Sequence, residues 1–210
     1  VGWIYWDPGA IGRYTALGVP ETAAYSYYIA SRGAPLLPAG HQALAAAFYS
    51  IHPAFVQVSV DTALAHTTFD AIYEARNDAV GAGLAEHFPE LCDGLARLAE
   101  PAWAAVDVLP LSGRVLFGAH RQMPRPDDPV VSAWLAFNCM REWRGDTHFA
   151  ILTAEDITGT QAGILDDARR NYGGWIPRSR GADDAALAVA FADLEARGLA
   201  EGGVVNDAGL

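Results

Sequence analysis

The apolar residues of this chain recur mostly at helical spacing, and prolines and glycines interrupt the pattern at intervals. Strong helix formers dominate residues 41–56, 62–82 and 90–108, which predicts a long helix in each. Proline lacks an N–H and clashes with the preceding turn, so we expect the first of these helices to end or kink at Ser50 to His52, before Pro53. The pattern predicts a mainly α protein.

A change of pattern divides the chain. Residues 112–129 carry three of the twelve prolines and show no sustained periodicity, which predicts a linker. We therefore expect an N-terminal helical domain at 1–111 and a second domain at 130–210. In the second domain the pattern predicts helices over 130–143, 147–154, 158–170 and 183–197.

The chain ends in a glycine-punctuated string, LEARGLAEGGVVNDAGL, from Leu194 to Leu210. A glycine follows the last predicted helix, and a Gly-Gly turn separates two short apolar segments. Three helices followed by a small β-hairpin are typical of a winged helix. The string resembles the end of the recognition helix and the wing of MarR-like regulators, which implies a winged-helix-like module with a β-hairpin wing.

The charge of this module argues against a nucleic-acid partner. The predicted recognition helix begins with Asp183 and Asp184, and from Pro129 onward 7 Arg stand against 12 Asp and Glu. The whole chain has a formal charge of −11. Because Lys and Arg contacts to phosphates supply most non-specific DNA affinity, this surface would repel DNA. We expect the shape of a winged helix without DNA binding.

Composition excludes several kinds of chemistry. All 14 basic residues are arginine, and without lysine there is no Schiff base, pyridoxal anchor or P-loop lysine. Cys92 and Cys139 are isolated, which argues against a zinc site or a disulfide framework. No apolar run approaches the ~20 residues of a membrane span, and the start is not signal-like. We expect a cytoplasmic protein with no membrane partner and no cofactor.

The segment Arg141 to His148, REWRGDTH, concentrates charged side chains where we predict one helix to stop and another to begin. A helix N-terminus has free N–H groups, so a cationic cluster there suits an anion. A polar corner, in which Asp146 caps the second helix and the arginines pair with Glu142, accounts for the same residues. At the predicted break before Pro53, Tyr49 and His52 are placed either to face a cavity or to form ordinary hydrogen bonds.

The chain resembles a large actinobacterial family usually labelled helix-turn-helix proteins. The elements IYWDPG, YYIASRGAPL, AAFYSIHPAFV, GRVLFGAHRQMPRPDDPVVSAW and REWRGDTHFAILTA occur in the family's order. The family motifs F-[FY]-x-x-H-P and R-E-H-R-G-D-G-H correspond to residues 48–53 and 141–148. Trp143 stands where the family has His, and Thr147 replaces Gly. The resemblance implies that both segments share a pocket adapted to a particular ligand.

The chain also resembles the larger subunit of the two-subunit aziridine-forming enzymes of azinomycin- and vazabitide-type biosynthesis, which close a ring by expelling sulfate. This resemblance implies an enzyme of specialised metabolism. It would carry out a cofactor-independent elimination or cyclisation that expels sulfate or phosphate from an amino-acid-type substrate. Family members extend beyond both ends of this chain, so we expect a small second subunit to supply the terminal helices.

Such a reaction needs a base and a cationic cradle for the leaving group. His52 or Asp146 is the expected base, and Arg144 and His148 are expected to stabilise the departing anion. The expected substrate-binding residues are Arg32, Tyr28, Tyr49, Trp143 and Asn138. His52, Asp146 and His148 are conceivable metal ligands, but no HxxxH or HExxH spacing supports a metal site.

Two other functions fit the same sequence. A ligand-responsive MarR-like transcriptional regulator would bind DNA with a steep salt dependence. A non-catalytic small-molecule-binding protein would sequester its ligand unchanged.

Overall fold

The computed structural model describes residues 2–210, in which α-helices dominate. The first part contains α1 (Pro8–Thr15), α2 (Tyr27–Gly33), α3 (His41–Phe48), α4 (Pro53–Leu64), α5 (Phe69–His87) and α6 (Pro89–Val108), with 3₁₀ helices at Gly2–Tyr5, Glu21–Ser26 and Ala34–Ala39. The later part contains α7 (Val115–Arg121), α8 (Pro129–Ala154), α9 (Gly159–Arg170), α10 (Trp175–Ser179) and α11 (Asp184–Ala196), then β1 (Ala200–Glu201) and β2 (Val204–Val205). The mainly α prediction is confirmed.

The predicted break before Pro53 is confirmed. α3 ends at Phe48, and Tyr49 leaves the helix with a positive φ of 49°. Pro53 then occupies the first turn of α4, where its missing N–H costs nothing. His52 precedes it as the N-cap, and its Nδ1 accepts the N–H of Ala54 at 3.2 Å. The helix predicted over 62–82 is instead divided, because α4 ends at Leu64 and the Thr68 side chain caps α5.

The predicted helix boundary within Arg141 to His148 is wrong. α8 runs unbroken from Pro129 to Ala154, so this segment has no free helix N-terminus. Asp146 does not cap a helix of its own segment; its carboxylate accepts the N–H of Phe117 in α7 at 2.9 Å. A glycine such as Gly145 costs a helix only about 1 kcal/mol. Packing of α8 against α6 and α7 outweighs that cost.

The predicted linker region contains part of the hydrophobic core. Residues 115–121 form α7, and Leu116, Phe117 and His120 are fully buried. The first core extends from the N-terminal helices to the first half of α8. A second, smaller core joins α9, α11 and β1 through Ile164, Ala190, Leu194 and Ala200. The division at 112–129 stays a prediction.

A short antiparallel hairpin ends the chain. Ala200 pairs with Val205 and Glu201 with Val204. Gly202 and Gly203 have positive φ angles of 58° and 76°, as a two-residue turn of type I′ requires. The predicted hairpin is confirmed, and the winged-helix assignment stays a prediction. Within residues 2–210, every helix is too short or too polar to cross a membrane.

Candidate functional site

A cavity of about 580 Å³ lies between the second half of α8 and α9. Its other walls are formed by α2, the α3–α4 connection, Arg180 and residues 209–210. We call it the arginine-lined cavity, because six of the fourteen arginines line it: Arg32, Arg141, Arg144, Arg169, Arg170 and Arg180. Its apolar wall includes Ile51, Phe149, Leu152 and Leu165. Such a concentration of guanidinium groups in an acidic protein is chemically suited to binding an anion.

A buried ion-pair group forms one wall of the cavity. Arg32 donates through Nε and Nη2 to the carboxylate of Glu142, with Nη2 to Oε2 at 2.7 Å. Arg141 donates to the other oxygen at 2.5 Å. Burial raises the pKa of Glu142, but the charge and hydrogen bonds of Arg32 and the charge of Arg141 outweigh burial and lower it to about 2. Arg32 is therefore held rigidly and largely neutralised.

Aromatic side chains also hold Arg32. Its Nη1 donates to the Tyr28 hydroxyl at 2.8 Å, and its guanidinium lies 4.6 Å from the centre of the Phe48 ring. His120 fixes the backbone at the same place, because its Nε2–H donates to the carbonyl oxygen of Arg32 at 2.8 Å. Burial and the nearby Arg76 charge lower the pKa of His120 to about 3, so its ring stays neutral.

The other arginines differ in their partners. Arg169 and Arg170 both bind Asp166, at 3.0 and 2.9 Å. Arg144 and Arg180 form no ion pair with any carboxylate of residues 2–210. Burial lowers the pKa of Arg180. These two guanidinium groups keep hydrogen-bond donors for a ligand.

His148 is the ionisable group in the cavity suited to proton transfer. Burial and the Arg144 charge lower its pKa below the ordinary value, and the Asp166 charge only partly opposes them. Its imidazole is therefore neutral near pH 7 and able to accept a proton.

The two segments singled out in the sequence, 48–53 and 141–148, meet in the structure, although not through every predicted residue. Ser50 and Ile51 from the first motif and Arg141, Arg144 and His148 from the second line the arginine-lined cavity. His52 lies outside it and lines a neighbouring cavity of about 160 Å³.

Tyr49 lines that neighbouring cavity too. Its ring stacks on Phe149 with centroids 5.2 Å apart, and its hydroxyl donates to the carbonyl of Ile157. Tyr49 therefore joins the α3–α4 connection to α8 and the α8–α9 connection beside the arginine-lined cavity.

Three of the predicted site residues point away from the arginine-lined cavity. Asp146 is 8% exposed, and burial raises its pKa to about 6 despite its backbone hydrogen bonds at the start of α7. The Trp143 indole N–H donates to the carbonyl of Pro110 at 3.2 Å. The Asn138 amide lies 3.3 Å from Nδ1 of His120 in the core. With 3.6 residues per turn, positions 141, 144 and 148 share one face of α8, whereas 143 and 146 share another.

Sequence reasoning identified Tyr28, Arg32, Arg144 and His148 as site residues and missed Arg169, Arg170 and Arg180, all of which line the cavity. A signal for the missed ones exists, because four of the fourteen arginines fall between positions 169 and 180. Among residues 2–210, no three His, Cys, Asp or Glu side chains are grouped so as to hold a metal ion.

The fold and site define a mainly α protein with an arginine-lined cavity between two helices. A model of the helix-turn-helix family matches the chain over residues 1–210, and the chain belongs to that family. No curated protein matches the chain, and no solved structure does.

Proposed function

We propose that this protein binds an organic small molecule carrying a sulfate or phosphate group in the arginine-lined cavity. The observation that carries the proposal is the placement of six of fourteen arginines around one cavity in a chain of net charge −11. Arginine binds such oxyanions through paired N–H donors. Arg144 and Arg180 are the best candidates, since neither pairs with a carboxylate of residues 2–210.

We further propose that the protein catalyses displacement of this anionic group by an amine of the same ligand. The amine nitrogen bonds to the carbon that carries the ester oxygen, and the carbon–oxygen bond breaks with both electrons leaving on the sulfate or phosphate. The surplus proton of the nitrogen passes to His148, while Arg144 and Arg180 stabilise the departing charge. The product is a small ring such as an aziridine, and the reaction balances without a cofactor.

His148 replaces His52 and Asp146 as the proposed base. The reason is position: His148 lines the cavity, whereas His52 caps α4 outside it and Asp146 faces α7. The lowered pKa of His148 supports the same role, because a general base must be unprotonated at working pH.

A ligand-responsive regulator is the second candidate, favoured by the helix-turn-helix family match and the hairpin after α11. Charge opposes it, because α11 carries Asp184, Asp193 and Glu195 and no basic residue. Arg197, just beyond α11, donates to the carbonyls of residues 155 and 156 and is occupied. Retardation of the gene's own upstream DNA in a gel, with a steep salt dependence, would favour the regulator over the enzyme.

Binding is tested with 2-aminoethyl sulfate and O-phosphoethanolamine by titration calorimetry. Arg180→Gln should weaken binding about 10- to 100-fold, as expected for a lost charged hydrogen bond. Arg178→Gln is the matched control, because Arg178 lies two positions away, pairs with exposed Asp184 and does not line the cavity. Equal effects of the two substitutions, or no binding of either compound, contradict the site.

Catalysis is tested by ion chromatography of released sulfate and phosphate, with the protein alone and with a candidate small second subunit. His148→Gln should keep binding and abolish release, whereas His66→Gln, at an exposed histidine, should change neither. Binding without release under both conditions refutes the catalytic half of the proposal and leaves a binding protein.

A further inference from the structure

Charged and apolar side chains occupy different parts of the arginine-lined cavity. α8 and α9 are joined by residues 155–158, and next to this connection the walls are apolar, with Leu152 on α8 and Ala162 on α9. Arg144 lies about two helical turns before Leu152, and Arg169 about two turns after Ala162. The cavity therefore has an apolar end near the connection and arginines on two separate helices farther from it.

The arginine-lined cavity carries more positive charge than one singly charged anionic group can neutralise. Six guanidinium groups face two carboxylates, Asp166 and the underlying Glu142, so the net charge of the cavity is about +4 with His148 neutral. A sulfate monoester carries one negative charge, and a phosphate monoester carries fewer than two at neutral pH. A partly enclosed site strengthens such uncompensated repulsion.

The arginines of α9 remain able to bind a ligand although they pair with Asp166. Each guanidinium has five N–H donors, and Asp166 occupies only Nη2 of Arg169 and Nε of Arg170. Arg180, which follows α10, is not counted with this pair, because Tyr28 and Arg32 of α2 influence its pKa electrostatically as well as Asp166 and Arg170. Arg169 and Arg170 of α9 can therefore bind a second anionic group, separately from Arg144 on α8.

We infer that the ligand carries two separate anionic groups on a partly apolar body, one bound by Arg144 and Arg180 and the other by Arg169 and Arg170 of α9. This inference rests on the proposed function and specifies its ligand class. A lone oxyanion leaves one group of arginines unmatched, and an apolar molecule with a single charge leaves most of the positive charge uncompensated.

Titration calorimetry with three probes tests the inference on the full chain. N-acetyl-O-phosphotyrosine carries two separate anionic groups and an aromatic body, its carboxamide lacks the carboxylate, and inorganic phosphate lacks the body. We expect the free acid to bind at least about tenfold more tightly than the carboxamide, and inorganic phosphate to bind weakest of the three.

Variants assign the second group. In Arg169→Gln/Arg170→Gln the preference for the free acid should fall to within about twofold, whereas Arg178→Gln should keep it. A far-ultraviolet circular dichroism melt checks that the double variant is folded, and if it is not, Arg170→Gln replaces it with the same expectation. Equal binding of acid and carboxamide by the unaltered protein overturns the inference and leaves the proposed function standing. Failure of all three probes to bind, with 2-aminoethyl sulfate and O-phosphoethanolamine also failing, overturns both.

Discussion

Replacing Asp146 by asparagine should stabilise the protein at neutral and alkaline pH. The side chain is 8% exposed, and its Oδ2 accepts the N–H of Phe117 at 2.9 Å. Asparagine keeps an acceptor oxygen for that bond and carries no charge. The change therefore removes a buried negative charge without removing the contact that holds the start of α7.

The size of the expected stabilisation follows from the pKa of Asp146. Burial raises the pKa of Asp146 from 3.8 to about 6, so the folded state binds the proton more tightly than the unfolded state. The stabilisation that the folded state gains from the protonated Asp146 carboxyl is complete below about pH 4 and is lost as the pH rises through 6. A difference of about two pKa units corresponds to about 3 kcal/mol. We expect the free energy of unfolding of Asp146→Asn to exceed that of the unaltered protein by up to about 3 kcal/mol at pH 8. Near pH 4 the two free energies should be equal.

Urea unfolding followed by tryptophan fluorescence measures this difference between pH 4 and pH 8. Asp183→Asn is the control, because Asp183 is an exposed N-cap whose carboxylate accepts the N–H of Ala186 at 2.8 Å. A difference between Asp146→Asn and the unaltered protein that does not grow with pH refutes the burial argument. Since Asp146 does not line the arginine-lined cavity, ligand affinity and anion release should both stay within about twofold in Asp146→Asn. Loss of release with binding retained would restore its candidacy as the base.

Two further substitutions test packing and charge. Gly159→Ala should destabilise the protein by about 1–3 kcal/mol, because the new Cβ would lie closer than 3.0 Å to the carbonyl oxygen of Tyr49. In Gly94→Ala the new Cβ meets nothing within 4 Å, so this control should stabilise the protein by up to about 1 kcal/mol. Urea unfolding compares them, and equal effects contradict the packing argument. Glu142→Gln should cost about 3–5 kcal/mol at pH 7, because it leaves buried guanidinium groups such as Arg32 without a counter-charge. The pKa of Glu142 is lowered to about 2, so its stabilisation should disappear as the pH falls from about 4.5 to 2, and an undiminished gap at pH 2 would contradict this origin.

Family order and residue type predicted part of the site. Arg144 and His148, two of the residues predicted from the sequence, line the cavity together with Ile51, and their roles stay a prediction. The direction of each side chain was not predictable, because it depends on whether α8 continues through Gly145. Once α8 is continuous, Trp143 and its neighbours three or four positions away are turned to another face.

Features that depend on neighbouring residues follow from the local sequence. Pro53 breaks the helix because its ring clashes with the preceding turn, and Gly202 and Gly203 form the hairpin turn because they adopt positive φ without strain. That Arg32, Arg144 and Arg180 share one cavity is a consequence of tertiary packing. Packing brings these distant residues together, and the balance of buried area and charge that fixes the packing is spread over the whole chain.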